Sequence, residues 1–273
     1  MRTFGLIGKS LSHSFSQHYF TEKFHQENIC DAEYRLFPFA KIEEIKDLLK
    51  HPTLLGFNVT IPYKTAIIPY LDELDVVAQK IGAVNCVIKH NNRWVGYNTD
   101  VVGFEKTMQI IRDSLPSTRN DVLRSALVLG SGGAAKAVCY VLKQQNIPFQ
   151  IVSRKKTENT IIYSETTELI INHSSLIINT TPLGMFPIVN EMPPIPYPAI
   201  NSNHILIDLI YNPEETLFLK EGKKQGEFIM NGLTMFEAQA EESWKLFKYG
   251  LKIILVKHDA KVQKNQYKIL LKY

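Results

Sequence analysis

Polar side chains close three apolar runs in the first hundred residues, where strands that only fill a core would need none. They are Asn58, Thr60 and Lys64 in FNVTIPYK (57–64), Asn85 in GAVN (82–85) and Asp100 in GYNTD (96–100). Amides and hydroxyls suit a substrate that carries several hydroxyl groups. Reduction of a carbonyl group also needs a proton donor, and a partly buried lysine held by a carboxylate can be that donor. Taken singly, Lys64 could be a surface lysine and Asp100 a helix N-cap.

A glycine-rich turn stands between an apolar run and an amphipathic stretch in VLGSGGAAKA (128–137). Gly130 permits a tight turn, Gly132 lets the backbone approach a pyrophosphate, and Ala135 permits close packing of helix on strand. The helix that follows would offer free N–H groups and the positive end of its dipole to phosphate groups. Strand, turn and helix together predict dinucleotide binding, although a plain turn can show the same pattern.

The next predicted strand ends in a basic turn, IVSRKK (151–156), which holds Ser153, Arg154, Lys155 and Lys156. NAD-binding units usually carry an acidic residue here for the ribose hydroxyl, whereas basic groups suit the 2′-phosphate of NADP. The turn therefore predicts NADP, and it argues against S-adenosylmethionine, whose ribose hydroxyls would favour an acid. A solvated basic turn without a ligand is the alternative.

Alternate serines open a predicted helix in SHSFS (12–16), namely Ser12, Ser14 and Ser16. Their hydroxyls and the first helix amides could hold a carboxylate. Simple N-capping explains the same residues equally well.

The last predicted helix begins in NGLTMFEAQA (231–240), where Met235 and Gln239 lie one turn apart. As a bare pattern, this pair indicates core packing by the methionine and a surface position for the glutamine.

Strands and helices alternate along the chain, which predicts an α/β fold with a parallel sheet. In the first hundred residues we predict strands at 3–8, 33–39 and 54–60, helices at 14–28, 41–50 and 71–81, and a hairpin of 83–90 with 93–97. Further on we predict helices at 100–113 and 234–247, a strand–turn–helix unit at 125–146, and β-rich runs at 148–154, 175–181, 204–211 and 227–232. Six prolines predict a long loop over 181–203, 154–175 is short for a helix between two strands, and 249–273 has no assignable pattern.

Composition excludes several classes of protein. The 273 residues suffice for one large domain or two ordinary ones, and the net charge of +4 comes with no basic block on a nucleic-acid motif. Cys30, Cys86 and Cys139 are widely spaced, which predicts a reduced, cytoplasmic setting. We expect no signal peptide, membrane span or metal site.

Together these motifs resemble the shikimate dehydrogenases over residues 3 to 247. The motifs that carry the resemblance are Ser14-x-Ser16, NVTIPYK, GAVN, GYNTDVVG, GSGGAAKA, the basic turn, NTTPLGM (179–185), DLIYNPEET (208–216) and NGLTMFEAQA. The combination of NVTxPxK with GxNTDxxG is the most specific of these signals. The resemblance implies an NADPH-dependent, reversible reduction of 3-dehydroshikimate to shikimate, a step toward chorismate and the aromatic amino acids.

The resemblance also implies a role for each matched position, in two α/β domains around a cleft. The catalytic pair would be Lys64 and Asp100. The substrate would be bound by Ser14, Ser16, Asn58, Thr60, Asn85, Tyr211 and Gln239, with the two serines at its carboxylate. NADP(H) would be bound by Gly130, Gly132, Gly133, Ala134, Ser153, Arg154, Lys155, Thr180, Gly232 and Met235. The substrate domain would be 1–100 plus 233–273, and a Rossmann-like domain for NADP would be 101–232.

The chain departs from the family pattern at a few positions. Gln17 stands where proline is frequent, Cys86 where threonine is frequent, and Ser153-Arg154-Lys155 where Asn-Arg-Thr is frequent. A quinate/shikimate dehydrogenase that uses NAD is the near alternative. A non-catalytic nucleotide sensor is the distant one, and the pair of Lys64 and Asp100 argues against it. We expect a small-molecule substrate, no nucleic-acid or membrane partner, and a monomer or homodimer.

Overall fold

The computed structural model describes residues 1–12, 14–115, 123–224 and 228–258. Within these ranges the chain forms two six-stranded sheets, each flanked by helices. We call the first sheet with its helices the first lobe, and the second sheet with its helices the second lobe. The observed elements confirm the α/β fold class.

The sheet of the first lobe is mixed, in the order β2-β1-β3-β5-β6-β4. Its strands are β1 (Arg2–Gly8), β2 (Ala32–Pro38), β3 (Leu54–Val59), β4 (Glu73–Leu74), β5 (Cys86–His90) and β6 (Arg93–Tyr97). The pairs β3–β5 and β5–β6 are antiparallel, and the other pairs are parallel. Asn91 and Asn92 adopt φ angles of 53° and 61°, which a tight hairpin turn requires, so the predicted hairpin is confirmed.

Three helices accompany this sheet, namely α1 (Phe15–Gln26), α2 (Ile45–Leu48) after a 3₁₀ turn at Ile42–Glu44, and α3 (Val76–Ile81). A fourth, α4 (Asp100–Ser114), begins just after β6, and its Phe104 and Met108 pack in the core of the second lobe. The helix predicted over 71–81 was wrong in its first half. Asp75 caps α3 by accepting from the backbone N–H groups of Val77 and Ala78, and the preceding residues are extended because Glu73 pairs with Val95 of β6.

The sheet of the second lobe is wholly parallel, in the order β12-β11-β10-β7-β8-β9. Its strands are β7 (Ala126–Leu129), β8 (Phe149–Ser153), β9 (Thr160–Ile162), β10 (Leu176–Asn179), β11 (Ile205–Asp208) and β12 (Phe228–Met230). In chain order this is the 3-2-1-4-5-6 arrangement of dinucleotide-binding sheets. The direction of the winding reverses between β7 and β10, which is where such sheets bind ligands.

The helices of the second lobe include α5 (Gly133–Gln144), α6 (Glu168–Asn172) and α7 (Leu217–Lys224). The five residues of α6 agree with the shortness predicted for 154–175. The proline-rich interval is irregular as predicted, and among its described residues a 3₁₀ turn at Tyr197–Ala199 is the regular element.

The last helix, α8 (Leu233–His258), links the two lobes and runs past the predicted end at 247 into the stretch that had no assignable pattern. It packs on α4, and its Trp244 and Phe247 fill the first-lobe core with Phe4, Phe20 and Phe24. Among the described residues, no helix combines the length and the apolar character that crossing a membrane requires. The domain bounds themselves stay a prediction.

Candidate active site

A cleft of about 820 Å³ lies between the lobes, a size that suits a small molecule and part of a cofactor. Both lobes and α8 contribute to its walls. The predicted site residues that line it are Ser14, Ser16, Asn58, Thr60, Lys64, Asn85, Asp100, Ala134, Thr180, Tyr211, Gly232, Met235 and Gln239. The structure therefore brings together residues that are as many as 225 positions apart in the sequence (239 minus 14).

Lys64 and Asp100 form an ion pair at the floor of the cleft. The Nζ atom of Lys64 lies 2.6 Å from Oδ2 of Asp100, and the two side chains are 15% and 6% exposed. Lys64 belongs to the turn after β3, and its carbonyl accepts a hydrogen bond of 2.7 Å from the N–H of Val84. A lysine ammonium group that lines the cleft is thus held by a nearly buried carboxylate.

The N-cap position of α4 belongs to Thr99, and Asp100 is the first helical residue. The interpretation of Asp100 as an N-cap was therefore wrong. Its carboxylate faces Lys64 and Asn85 instead, because Oδ1 accepts a hydrogen bond of 2.8 Å from Nδ2 of Asn85. The acid is oriented on both of its oxygens, and both partners come from loops of the first lobe.

Asn85 is itself fixed by the start of α4. Its Oδ1 accepts from the backbone N–H of Thr99 at 2.6 Å, and its side chain is 2% exposed. A backbone N–H can only donate, so this bond settles which end of the amide faces Asp100. Asn85 consequently presents its N–H group to the carboxylate.

Asn58 has the cleft on one side, but its amide is engaged within the protein. Oδ1 accepts from the hydroxyl of Tyr34 at 2.9 Å, while Nδ2 donates to Oγ of Ser243 at 2.8 Å and to the carbonyl of Asn85 at 3.2 Å. These contacts favour a supporting role for Asn58 over the direct substrate contact that the family resemblance implies.

Ser14 and Ser16 stand at the N-terminus of α1, where the Oγ atom of Ser14 accepts from the N–H of Ser16 at 3.2 Å. The N-capping interpretation therefore holds for Ser14, and both serines also line the cleft. Ser12 is exposed and lies outside the lining. The capped helix end still leaves backbone N–H groups that can face an anion.

Tyr211 reaches this end of the cleft from the second lobe. Its ring packs edge-to-face with that of Phe15, and the two ring centroids are 5.3 Å apart. The ring of Phe236, on α8, lies on another side of Tyr211, with the centroids 4.7 Å apart. Burial raises the pKa of the Tyr211 hydroxyl to about 12, so it remains a hydrogen-bond donor at neutral pH.

Met235 and Gln239 lie one turn apart on α8 but have different surroundings. Met235 is 7% exposed and packs in a core with Val101 and Phe104, as the sequence pattern indicated. Gln239 is not a free surface residue, because its Oε1 lies 3.3 Å from Nδ2 of Asn85 and its Nε2 donates to the Phe236 carbonyl at 2.9 Å.

The remaining predicted cofactor residues lie beside the cleft, at the ends of β7 and β8; they are Gly130, Gly132, Gly133, Ser153, Arg154 and Lys155. Gly130 has a φ angle of 112°, and a Cβ there would lie 2.6 Å from Oγ1 of Thr180. At Gly132 a Cβ would meet nothing within 4 Å, so the backbone is open to a ligand. A Cβ at Gly133 would lie 2.7 Å from that of Lys64, so α5 can begin this close to Lys64 only with glycine.

The basic turn is exposed at Arg154 and Lys155. Ser153 is 9% exposed and is tied to the glycine-rich turn by a contact of 3.0 Å between its Oγ and that of Ser131. Lys156 is engaged with Glu165. Arg154 and Lys155 are thus the two charges of this turn that remain for a ligand phosphate.

Comparison with known proteins identifies the family. Residues 6–87 match the model of the shikimate dehydrogenase substrate binding domain. The shikimate dehydrogenase (NADP(+)) of Clostridium beijerinckii is 39% identical, with 90% of this chain and 92% of the relative covered. The chain belongs to the shikimate dehydrogenase family.

A second curated relative and a solved structure agree with this assignment. The shikimate dehydrogenase (NADP(+)) of Methanococcus maripaludis is 37% identical, with 89% of this chain and 90% of the relative covered. The crystal structure of shikimate dehydrogenase 1 from Peptoclostridium difficile is 34% identical, covers 95% of this chain and 98% of its own, and superposes with a TM-score of 0.78. The resemblance drawn from the motifs is confirmed.

The sequence analysis missed two residues that lie behind the wall of the shikimate dehydrogenase cleft. Thr99 and Ser243 are 2% and 0% exposed, and their hydroxyls lie 3.0 Å apart behind Asn85. Thr99 precedes Asp100 in GYNTD, and Ser243 lies one helical turn after Gln239. The sequence indicates these two residues only through their positions next to Asp100 and Gln239, because they are 144 positions apart in the chain and meet only in the folded structure.

Proposed function

We propose that this chain catalyses the reversible, NADPH-dependent reduction of 3-dehydroshikimate to shikimate. The observation that carries the proposal is the 2.6 Å contact between Lys64 and Asp100 in a cleft lined by both lobes. Membership of the shikimate dehydrogenase family supports it, since the relatives reported above bear the name of this activity with NADP(+).

Lys64 is the proposed proton donor in this reaction. Bound NADPH would supply a hydride to the carbonyl carbon of the substrate. The carbonyl oxygen then takes a proton from Nζ of Lys64, so the product is an alcohol and the lysine becomes neutral until solvent reprotonates it. Asp100 holds the ammonium group in place, and Asn85 holds Asp100 through its other oxygen.

The substrate ring would lie between Lys64 and the serine end of the cleft. Ser14, Ser16 and the first amides of α1 would bind its carboxylate, while Thr60, Asn85 and Gln239 would contact its hydroxyl groups. Tyr211 would donate its hydroxyl from the opposite lobe. Asn58 would act through the loops that it joins, because its own polar atoms are bonded within the protein.

The residues at the ends of β7, β8 and β10 fit NADP. The open backbone at Gly132 and the start of α5 suit a pyrophosphate, with Gly130, Gly133 and Ala134 forming the turn. Arg154 and Lys155, with Ser153, would hold the 2′-phosphate. Thr180, Gly232 and Met235 would lie along the nicotinamide half, since they line the cleft that Lys64 reaches.

This function agrees with the proposed division into a substrate domain, 1–100 plus 233–273, and an NADP domain, 101–232. A cytoplasmic enzyme that works as a monomer or homodimer remains the expectation for its setting and assembly.

An initial-rate assay of the purified protein tests the proposal directly. Shikimate is offered with NADP and with NAD, and both reactions are repeated with quinate. Turnover with shikimate and NADP alone supports the proposed function and the role of the basic turn. Comparable rates with NAD and quinate would instead assign the broader quinate/shikimate dehydrogenase activity. Binding of NADP without turnover on either acid would favour a nucleotide sensor.

A further inference from the structure

Behind the catalytic pair lies a chain of buried hydrogen bonds that the reaction itself does not use. It joins Tyr34, Asn58, Ser243 and Thr99 to Asn85, and all five residues are 6% exposed or less. Four separate elements contribute to it, namely β2, β3, α8 and the start of α4. A polar group this deeply buried destabilises the fold unless its donors and acceptors are paired. This requirement determines which group donates in each of the bonds.

Ser243 sets those directions. Its hydroxyl donates to the carbonyl of Gln239 at 2.9 Å, which occupies its one proton. It can then only accept, and it does so from Nδ2 of Asn58 at 2.8 Å. The 3.0 Å contact with Thr99 therefore has Oγ1 of Thr99 as the donor.

The donor direction at Thr99 also fixes the hydrogen bonds that lead to the carboxylate of Asp100. With its proton given to Ser243, Oγ1 of Thr99 accepts from Nδ2 of Asn85 at 2.9 Å. The second N–H of that amide is left for Oδ1 of Asp100 at 2.8 Å. Without Ser243, the Thr99 hydroxyl could instead donate to Oδ1 of Asn85 at 3.2 Å or to Oε1 of Gln239 at 3.5 Å. The hydrogen bonds around Asn85 would then have more than one possible arrangement.

We propose that Ser243 is a positioning residue for the reduction, which orients Asn85, and through it Asp100 and Lys64, by way of Thr99. The proposal rests on the proposed function, since it assumes that Lys64 and Asp100 carry out the proton transfer. Ser243 also ties Asn85 to the helix that carries Gln239, so one hydroxyl coordinates two groups that face the substrate.

The test is steady-state kinetics of Ser243→Ala with shikimate and NADP. Because one buried hydrogen-bonded group is removed from the network, we expect kcat to fall by about 5- to 30-fold. The KM for NADP should be unchanged, since the basic turn and the glycine-rich turn lie in the other lobe. Ser243→Thr, which keeps the hydroxyl, should recover part of the lost kcat.

Thr107→Val is the matched control. Thr107 is 1% exposed, and its hydroxyl donates to the carbonyl of Gly103 one turn earlier on α4, as that of Ser243 does on α8, but it is outside the chain of bonds that leads to Asn85. This variant should keep the wild-type kcat. Thermal unfolding of all variants shows whether each is folded under the conditions of the assay.

Lys64→Ala, measured in parallel, separates this inference from the proposed function. If Lys64→Ala loses turnover while Ser243→Ala keeps a wild-type kcat, the inference alone is overturned. An equal loss in Ser243→Ala and Thr107→Val, or a rise in the KM for NADP, would also overturn it by indicating general loosening. If Lys64→Ala turns over normally, the catalytic pair itself is wrong and the inference falls with it.

Discussion

The two lobes present their polar groups to the cleft in different ways. In the first lobe, Lys64, Asn85 and Asp100 are bonded to one another and to a buried layer behind them. In the second lobe, the open glycine backbone and the exposed Arg154 and Lys155 face outward with little side-chain support. This difference suits the two proposed roles, which are proton transfer by side chains fixed in place on one side and binding of a phosphate-bearing cofactor by exposed charges on the other.

The second lobe also has a buried polar network, which lies under the loops that follow β10 and β11. Asp208 at the end of β11 is fully buried and accepts from Asn179 at 3.0 Å, from the N–H of Ile210 at 3.0 Å and from Thr216 at 2.6 Å. Asn179 in turn accepts from Thr181. This network joins the loops after β10 and β11, and both loops contribute residues to the wall of the cleft.

If the first lobe is the centre of proton transfer, the largest effect follows from Lys64→Ala. Loss of a general acid usually lowers turnover by about 2 to 4 orders of magnitude, and we expect a fall in kcat within that range. The KM for shikimate should change far less. Lys80→Ala, which removes an exposed lysine on α3, is the control and should behave as wild type. Near-normal turnover of Lys64→Ala would exclude Lys64 as the donor.

Asp208→Asn tests whether the second-lobe network serves stability. Burial raises the pKa of Asp208 from 3.8 to about 6, because the charged carboxylate is removed from water. Between these two values the folded chain binds more protons than the unfolded chain, so the free energy of unfolding falls as the pH rises. The stabilisation by the protonated Asp208 is therefore fully present below pH 3.8, the pKa in the unfolded chain, and is lost as the pH rises through about 6, the pKa in the folded chain.

The asparagine keeps the shape of the side chain, an acceptor oxygen and a donor for Oγ1 of Thr216, but it does not titrate. From about pH 4 to about pH 7, wild type should lose about 2 kcal/mol of unfolding free energy relative to Asp208→Asn. Denaturant unfolding at both pH values measures this, with the exposed Asp47→Asn as control. A difference that is independent of pH would contradict the assignment, and a large loss of turnover in the folded variant would contradict the purely structural role.

The basic turn is the part of the second lobe that should affect the cofactor directly. Loss of a charge-assisted contact to phosphate should raise the KM for NADP by about 10- to 100-fold in Arg154→Ala, while the KM for NAD stays nearly the same. Lys156→Ala is the matched control, because that lysine is already engaged with Glu165. Equal effects of Arg154→Ala on both cofactors would contradict a 2′-phosphate site.

These two regions also differ in how far the sequence predicted them. The glycine-rich turn and the basic turn follow directly on β7 and β8, so local order was enough to place Gly130 and Arg154. Polar residues at strand ends likewise identified Lys64 and Asp100. Ser243 could not be found in this way, because a serine one turn after Gln239 looks like part of an ordinary polar helix face.

The errors have the same origin. In 71–81, Leu71 and Leu74 have helical spacing, but they pack against the first-lobe core from an extended segment that pairs with β6. Asp100 looked like an N-cap because it opens a helix, yet its partners, Lys64 and Asn85, come from other loops. Tertiary partners override local preference at these points, and neither partner is visible within a window of neighbouring residues.

The smallest effect should come from the contact that joins the two regions. Phe15 is 43% exposed at the start of α1, and its ring meets Tyr211 of the second lobe at an interplanar angle of 89°. Edge-to-face pairs of this kind contribute about 0.5 to 1.5 kcal/mol, so Phe15→Ala should raise the KM for shikimate about 2- to 10-fold. The kcat should hold, because Phe15 and Tyr211 take no part in the hydrogen bonds that join Lys64, Asp100 and Asn85. Leu169→Ala, at a residue 66% exposed on α6, is the control. A fall in kcat with an unchanged KM would mean that Tyr211 contributes to the proton-transfer centre, and the two lobes would then share the chemistry as well as the cleft.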